Sequence, residues 1–203
     1  MLTKLKNIFF ALSYTTTTLC LTAKTVQADV LFIGGGYLEL CSMAAQNLED
    51  LTKIEITGSR LDITPVEICT LAIDSGFLTP DQRAGAYNNR GVLWFGQGAY
   101  VEALDDFDQA IRTQNNFGRA HVNRGFTLMA MQRWGDSIAA FDTGISLEAP
   151  EPEKTYYNRG IAQEELGHIR EAYNDYLKAA ELMPVWEDPK RELSRFTTRK
   201  SVQ

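Results

Sequence analysis

Residues 87–111 read YNNRGVLWFGQGAYVEALDDFDQAI, and the pattern of this stretch returns twice further along the chain. The tripeptide Asn-Arg-Gly begins at Asn89, Asn123 and Asn158, at spacings of 34 and 35 residues. A small residue follows each glycine after twelve positions, and an aromatic residue stands four positions later. These pairs are Ala103 and Phe107, Ser137 and Phe141, and Ala172 and Tyr176. A period of this length indicates a repeated supersecondary unit.

Each unit has the pattern of two amphipathic helices that cannot bury their apolar faces alone and therefore stack. Glycine and alanine stand where helices cross closely, and the aromatic residue fills the wedge between neighbouring pairs. The period, the small residues and the aromatic residue resemble the tetratricopeptide repeat (TPR) family, whose unit is a helix–turn–helix. The resemblance implies an all-α fold, a right-handed superhelical stack of antiparallel helix pairs.

The repeats are expected within residues 80–186, as units at about 84–117, 118–151 and 153–186. Thr64 and Thr79 each precede a proline and stand three residues before Glu67 and Gln82, which predicts two capping boxes. Residues 38–79 are interpreted as a divergent N-terminal helical pair. Within them, residues 53–64 form a loop or a short hairpin, and a loop is favoured. Residues 187–203 are interpreted as a C-terminal capping helix, opened by Asp188-Pro189, and a tail.

The first 28 residues have the pattern of a secretory signal peptide. Lys4 and Lys6 precede an apolar run, and Ala28 ends a stretch of small residues. We expect cleavage after Ala28, a flexible mature N-terminus at residues 29–37, and a periplasmic or secreted protein. A membrane anchor is the first alternative, but the run is short and holds four threonines. Lipidation of Cys20 is the second, although Leu19 before it is bulky.

Removal of residues 1–28 changes the charge and the cysteine count. The remaining 175 residues hold 17 basic and 26 acidic side chains, a net charge of −9. This balance argues against a nucleic-acid partner. Two cysteines remain, Cys41 and Cys69, and an exported pair is expected to form a disulfide that closes a loop of about 28 residues. The alternative is two buried free thiols.

The recurring asparagine is the strongest candidate for function. In several TPR proteins an asparagine at this position points into the concave groove and holds a peptide main chain. By that resemblance, Asn89, Asn123 and Asn158 form a ladder, and an amide suits this task because it both donates and accepts. The alternative is hydrogen bonding within the stack. The neighbours expected on the groove face are Asn88, Val92, Phe95, Arg119, Val122, Phe126, Met129, Lys154, Tyr157, Ile161 and Glu164.

The recurring arginine has a structural interpretation. Asp106 follows Arg90 by sixteen residues, and Asp175 follows Arg159 by the same distance, at equivalent points of the second helix. We therefore predict an ion pair between the two helices of the first and third repeats. In the second repeat the matching position holds Ala140.

The sequence holds no pattern typical of a catalytic site. Its two histidines, His121 and His168, are isolated, and the run Gly34-Gly35-Gly36 precedes no phosphate-loop lysine. We expect no enzyme activity, no metal and no cofactor. The sequence predicts a monomeric module in the bacterial envelope that binds a peptide or protein segment in its groove, without a membrane span after signal removal. The alternatives are a structural or self-associating component of an envelope complex, and an enzyme with an unrecognised site.

Overall fold

The computed structural model of this protein describes residues 36–46 and 63–198, and in these residues the chain is an all-α helical repeat. The predicted signal peptide, Cys20, most of the segment 53–64 and residues 199–203 lie outside the described residues. The described helices are α1 (Gly36–Gln46), α2 (Pro65–Asp74), α3 (Pro80–Gly96), α4 (Tyr100–Thr113), α5 (Gly118–Ala130), α6 (Trp134–Ser146), α7 (Pro152–Glu165), α8 (Ile169–Leu182) and α9 (Glu187–Thr198).

Helices α2 and α3 begin at the two capping boxes predicted from the sequence. The Thr64 hydroxyl accepts from the Glu67 backbone N–H at 3.2 Å, and the Thr64 N–H donates to Glu67 Oε2 at 2.7 Å. Thr79 and Gln82 exchange the same two bonds, at 3.3 and 3.0 Å. Each box satisfies backbone donors that the first turn leaves open, and a proline at the first helical position holds the helical φ. Both predictions are confirmed.

Two helix starts differ from the sequence-based expectation. Helix α1 begins at Gly36, so the last two residues of the segment expected to be flexible are helical. Helix α9 begins at Glu187, before the expected cap at Asp188. The Asp188 carboxylate is used elsewhere, because its Oδ2 accepts from the indole Nε1 of Trp186 at 3.0 Å.

The turn between the two helices of each repeat places one left-handed residue at the same point. Gly98, Gln132 and Gly167 have φ angles of 77°, 60° and 80°. The backbone N–H of each donates to a carbonyl three residues earlier, at 2.9 Å in all three turns. Glycine adopts this conformation without a steric cost, whereas glutamine does not. The repeat period of 34 to 35 residues therefore includes these turns, although the second turn has Gln132 where the other two have glycine.

The first compact unit comprises α1–α4. Helices α1, α2 and α3 pack on one another, and α3 packs along α4. A Cβ atom on Gly91 would lie 2.7 Å from the Phe107 ring, so glycine is what allows α4 to approach α3 this closely. The expected disulfide is present: Cys41 of α1 and Cys69 of α2 are joined, with Cα atoms 4.7 Å apart, and both residues are fully buried.

The second compact unit comprises α5–α9, in which each helix packs on the next. Gly125 lies against Phe141 and Gly160 against Tyr176, in the arrangement of Gly91 and Phe107. Helix α9 then covers the end of the unit with an aromatic cluster. The ring centroids of Tyr157 and Trp186 are 4.7 Å apart, and the other members of this cluster are Tyr173, Tyr176 and Phe196.

Candidate functional site

The three recurring asparagines lie in the first helix of each repeat, with decreasing exposure along the chain. Asn89 of α3 is half-buried, Asn123 of α5 is 8% exposed and Asn158 of α7 is fully buried. The second unit brings the last two together on neighbouring helices, because α5 contacts α7. Burial of an amide is costly unless both of its ends are hydrogen-bonded, so the partners of Asn158 decide its role.

Asn158 satisfies only its donor end within the chain. Its Nδ2 donates to the backbone oxygen of Lys154 at 2.8 Å, one turn earlier in α7. No donor in residues 36–46 or 63–198 reaches its Oδ1, which is buried. The bond to Lys154 also fixes which end of the amide is oxygen, since the opposite orientation would set two acceptors against each other.

Lys154 lies one turn before Asn158 on the same face of α7, and Glu151 precedes the helix. The Lys154 ammonium binds Glu151 Oε1, and both side chains are about one-fifth exposed. Glu151 Oε2 is buried and receives no hydrogen bond from the described residues. Glu151 precedes the first helical residue and has a left-handed φ of 57°. Two buried acceptors, Glu151 Oε2 and Asn158 Oδ1, therefore receive no hydrogen bond from the part of the chain that the structure describes.

Most of the other residues expected on the groove face contribute to packing. Phe126 packs edge-on against Phe141 with centroids 5.2 Å apart, and Phe95 lies 5.2 Å from the ring of Tyr100. Asn88, Val92, Val122, Phe126, Met129 and Tyr157 are buried, whereas Arg119 and Ile161 are half-buried. The carboxylate of Glu164 binds Arg195 Nη2 at 2.8 Å and accepts from the Tyr176 hydroxyl at 3.0 Å.

Arg90 and Arg159 each join three helices. Arg90 donates to both carboxylate oxygens of Asp106 in α4, at 2.8 and 2.7 Å, and to the Thr70 hydroxyl of α2 at 3.0 Å. Arg159 donates to both oxygens of Asp175 in α8, at 2.8 and 2.6 Å, and to Asp142 of α6. These hydrogen bonds tie each arginine to the second helix of its own repeat and also to the helix that precedes the repeat. Their geometry indicates a structural role.

The protonation of these groups follows from their surroundings. Burial opposes the charge of Arg159, but the hydrogen bonds to Asp175 and Asp142 outweigh it and raise the pKa of Arg159. The hydrogen bonds to Asp106 raise the pKa of Arg90. Burial raises the pKa of Tyr157 to about 12, and the carboxylates of Glu192 and Asp188 add to this shift. The arginines therefore stay charged, and the Tyr157 phenol keeps its proton well above pH 10.

Alkaline pH should destabilise the second unit through Tyr157. The ordinary pKa of the phenol is 10.0 and its folded value is about 12, so the folded state keeps a proton that the unfolded state releases. This contribution to stability is complete below pH 10 and is lost towards pH 12, at about 1.4 kcal/mol per pH unit. Urea unfolding in steps between about pH 9 and 11.5 measures the slope. Tyr157→Phe should reduce the slope and leave the part that comes from Tyr176, whose pKa burial also raises. Equal slopes for both proteins would contradict the assignment.

The described residues hold no cluster of three or more His, Cys, Asp or Glu side chains that could bind a metal ion. None of the described helices is long and apolar enough to cross a membrane.

Comparison with protein families and curated proteins gives a limited likeness. No family model matches the chain. A DnaJ homolog subfamily C member 7 homolog of Dictyostelium discoideum is 25% identical over 92 residues, which are 45% of this chain and 16% of the relative. This chain therefore spans a small part of the relative's length.

Solved structures share the fold at low sequence identity. The first TPR of Spaghetti (RPAP3) bound to an HSP90 peptide has a TM-score of 0.55 at 23% identity, covering 60% of this chain and 98% of its own. The second TPR domain of human RPAP3 with an HSP70 peptide has a TM-score of 0.55 at 24% identity, covering 59% and 98%. The MamA RS-1 ArsTM double mutant has a TM-score of 0.63 at 18% identity, covering 84% and 88%. These likenesses show a TPR-like fold.

Proposed function

We propose that this protein is a non-catalytic interaction module and that its second unit binds an extended peptide segment of a partner on the face shared by α5 and α7. The observation that carries the proposal is the open acceptor of Asn158. The side chain is fully buried, its Nδ2 is bound, and its Oδ1 receives no hydrogen bond from the described residues. A desolvated acceptor without a donor costs free energy, and a peptide N–H removes that cost when the Asn158 side chain turns towards the ligand.

Two further observations support a peptide as the ligand. The same residue type recurs one period earlier as Asn123, on the helix that packs against α7. Asn123 and Asn158 thus stand at equivalent points of adjacent helices, as a ligand that runs across both helices requires. The RPAP3 domains with the same fold were solved with peptides bound.

Replacement of Asn158 by alanine should weaken peptide binding about tenfold, because a hydrogen bond to a buried acceptor contributes roughly 1 kcal/mol or more. The full chain would be immobilised and exposed to a random pool of end-blocked octapeptides. Retained peptides would be sequenced by mass spectrometry and titrated singly. Asn158→Ala is compared with the wild-type protein and with the triple variant Asn89→Ala/Asn123→Ala/Asn158→Ala.

Asn174→Ala provides the matched control, because Asn174 is an exposed asparagine on α8. It should bind the selected peptides as the wild-type protein does. Circular dichroism would establish that the variants are folded. A wild-type protein that retains no peptide, or a folded triple variant that retains them all, would overturn the proposed function.

Self-association is a second candidate function, and the outer face of α8 favours it. Ile169, Tyr173 and Leu177 follow one another at a spacing of four residues and are each about two-fifths exposed. Such an apolar stripe is costly in water and is typical of a surface that contacts another chain. Sedimentation equilibrium distinguishes the two candidates, since a mass above 22.8 kDa for the full chain indicates an oligomer.

We propose that the module acts in an oxidising compartment, the periplasm or the exterior of a bacterial cell. The pattern of residues 1–28 and the buried Cys41–Cys69 disulfide support this location. Mass spectrometry of the protein expressed with its N-terminal segment, without reductant, would show whether the chain starts at Asp29 and lacks two hydrogens. A full-length reduced chain would contradict the proposed location.

A further inference from the structure

A cleft opens in the second unit where the connection between α6 and α7 meets the C-terminal end of α8. Its volume is about 450 Å³, within the range of roughly 300–1,000 Å³ that is typical of ligand sites. The lining residues Gly144, Ala149 and Thr155 are buried and form the floor of the cleft. Ile145 and Tyr156 are half-buried and form its walls. The cleft therefore offers a mainly apolar surface that solvent can reach.

The rim of the cleft combines apolar groups with one unpaired charge. Three exposed apolar residues line the rim, namely Pro150, Pro152 and Leu182. Lys178 also lines it, but its ammonium lies 3.4 Å from the carboxylate of Glu181. The carboxylate of Glu148 is exposed and forms no hydrogen bond or ion pair with another described residue. The rim therefore carries a negative charge that is available to a ligand.

The cleft lies at the one connection that lengthens the repeat period. The connection between α4 and α5 comprises residues 114–117, whereas the connection between α6 and α7 comprises residues 147–151. The additional residue accounts for the spacing of 35 residues in place of 34. Glu148 and Glu151 have left-handed φ angles of 52° and 57°, whereas none of residues 114–117 does. The second connection thus has a backbone form that the first lacks.

Backbone hydrogen bonds hold this connection in place. The N–H of Glu148 donates to the oxygen of Ile145, and the N–H of Ala149 donates to the oxygen of Gly144, both at 3.0 Å. A left-handed conformation at a residue other than glycine costs free energy and persists only where the surrounding structure fixes it. The walls of the cleft are therefore in place before a ligand arrives, which reduces the ordering cost of binding.

The shape and chemistry of the cleft favour an aromatic side chain that belongs to a larger chain. Because the rim is exposed, the cleft can surround one side chain but would leave a whole small molecule partly in water. The guanidinium of Arg159 lies over the Tyr156 ring, 5.2 Å from its centre. This ring is the one aromatic group among the lining residues, and an aromatic ligand group gains a ring contact with it in addition to its burial.

We propose that this cleft is a second docking site, which takes an aromatic side chain of a partner protein while a basic side chain of the same segment binds the Glu148 carboxylate. Burial of the ring supplies most of the affinity, because an exposed ion pair contributes little, and the charge selects the partner. The net charge of −6 on the whole chain also favours a basic segment. The site is separate from the proposed peptide face, since neither Asn123 nor Asn158 lines it.

Three pools of end-blocked heptapeptides test this site on the full-length protein. Side chains two positions apart in an extended segment face the same side, so the first pool has Trp at its centre and Arg two positions away on either side. The second pool has Ala in place of Trp, and the third has Gln in place of both Arg; all other positions are random. The first pool should be retained about tenfold better than the second and about threefold better than the third.

Two variants and their matched controls locate the contacts. Leu182→Ser should reduce the preference for Trp to about threefold or less, because it removes part of the apolar rim. Leu166→Ser should keep it, since Leu166 is 43% exposed against 42% for Leu182, also lies at a helix end, and does not line the cleft. Glu148→Gln should remove the preference for Arg over Gln. Glu171→Gln should keep it, because Glu171 is an exposed glutamate of α8 outside the cleft.

The outcomes separate this inference from the proposed function. Equal retention of the Trp and Ala pools, or unchanged preferences in Leu182→Ser or Glu148→Gln, would overturn this inference. Loss of the Trp preference in Asn158→Ala would also overturn it, because the ring would then bind on the face shared by α5 and α7. N-acetyltryptophan amide should bind far more weakly than a selected peptide, and equal affinity would show a small-molecule site instead.

NMR of the wild-type protein covers the case in which Leu182→Ser does not fold. A selected Trp peptide should shift the methyl signals of Ile145 and Leu182, which line the cleft, and leave those of Leu166 unchanged. Shifts confined to methyl groups outside the cleft would overturn the inference.

Discussion

Arg159→Ala should lower the free energy of unfolding of the second unit by about 3 kcal/mol, because it breaks a buried ion pair from one side. Asp175 is 6% exposed and would lose both guanidinium hydrogen bonds without gaining access to water. Asp142 would lose its link to α7 as well. The guanidinium also lies 5.2 Å from the centre of the Tyr156 ring, so a cation–π contact is lost. Secondary structure should survive, since the helices pack through other residues.

Urea unfolding followed by tryptophan fluorescence measures this loss. In a Trp94→Phe background the remaining tryptophans, Trp134 and Trp186, lie in the second unit and report its transition. Arg133→Ala is the control, because Arg133 and Asp136 form an ion pair with both side chains about half exposed. Such a pair contributes well under about 1 kcal/mol. Equal losses of unfolding free energy for Arg159→Ala and Arg133→Ala would show that the hydrogen bonds of Arg159 do not stabilise the unit.

The sequence predicted the features of the fold that depend on local chemistry and on the period. Thr64 and Thr79 revealed the capping boxes because such a box needs only residues three apart. The glycine at the start of a turn could also have been found, since Gly98 and Gly167 differ by two periods, but Gln132 interrupts that series. The sequence also predicted a last helix within residues 187–203, where α9 lies, but Asp188, expected to open it, is its second residue and accepts from the Trp186 indole.

The sequence was less informative about side chains whose partners come from another repeat. The sixteen-residue spacing pointed from Arg159 to Asp175, but Asp142 belongs to the preceding repeat and entered through packing of α6 on α7. Tyr157 was expected on the groove face, yet its ring packs 4.7 Å from Trp186, which immediately precedes α9, a helix that no repeat pattern defines. The sequence also does not signal that Glu151 has a left-handed backbone, or that its Oε2 is buried without a donor among the described residues.

Reduction of the Cys41–Cys69 disulfide should destabilise the first unit by about 3.5 kcal/mol. The bond closes a loop with a sequence separation of 28 residues, and the free energy follows from the chain entropy that the cross-link removes from the unfolded state. Both cysteines are fully buried between α1 and α2, so reduction leaves two small apolar thiols rather than a polar group in the core. The first unit would remain folded but unfold at lower urea concentration.

A background with Trp134→Phe and Trp186→Phe leaves Trp94 of α3 as the reporter of the first unit. The urea midpoint of this transition is compared with and without reductant. It is then measured for Cys41→Ala/Cys69→Ala. This variant should behave as the reduced protein does if the cross-link, rather than packing of the sulfur atoms, is responsible for the stability. The second unit, followed in the Trp94→Phe background, should not respond to reductant because its residues 116–198 hold no cysteine. An unchanged Trp94 transition on reduction would mean that packing of α1 and α2 on α3 already holds the unit without the covalent bond.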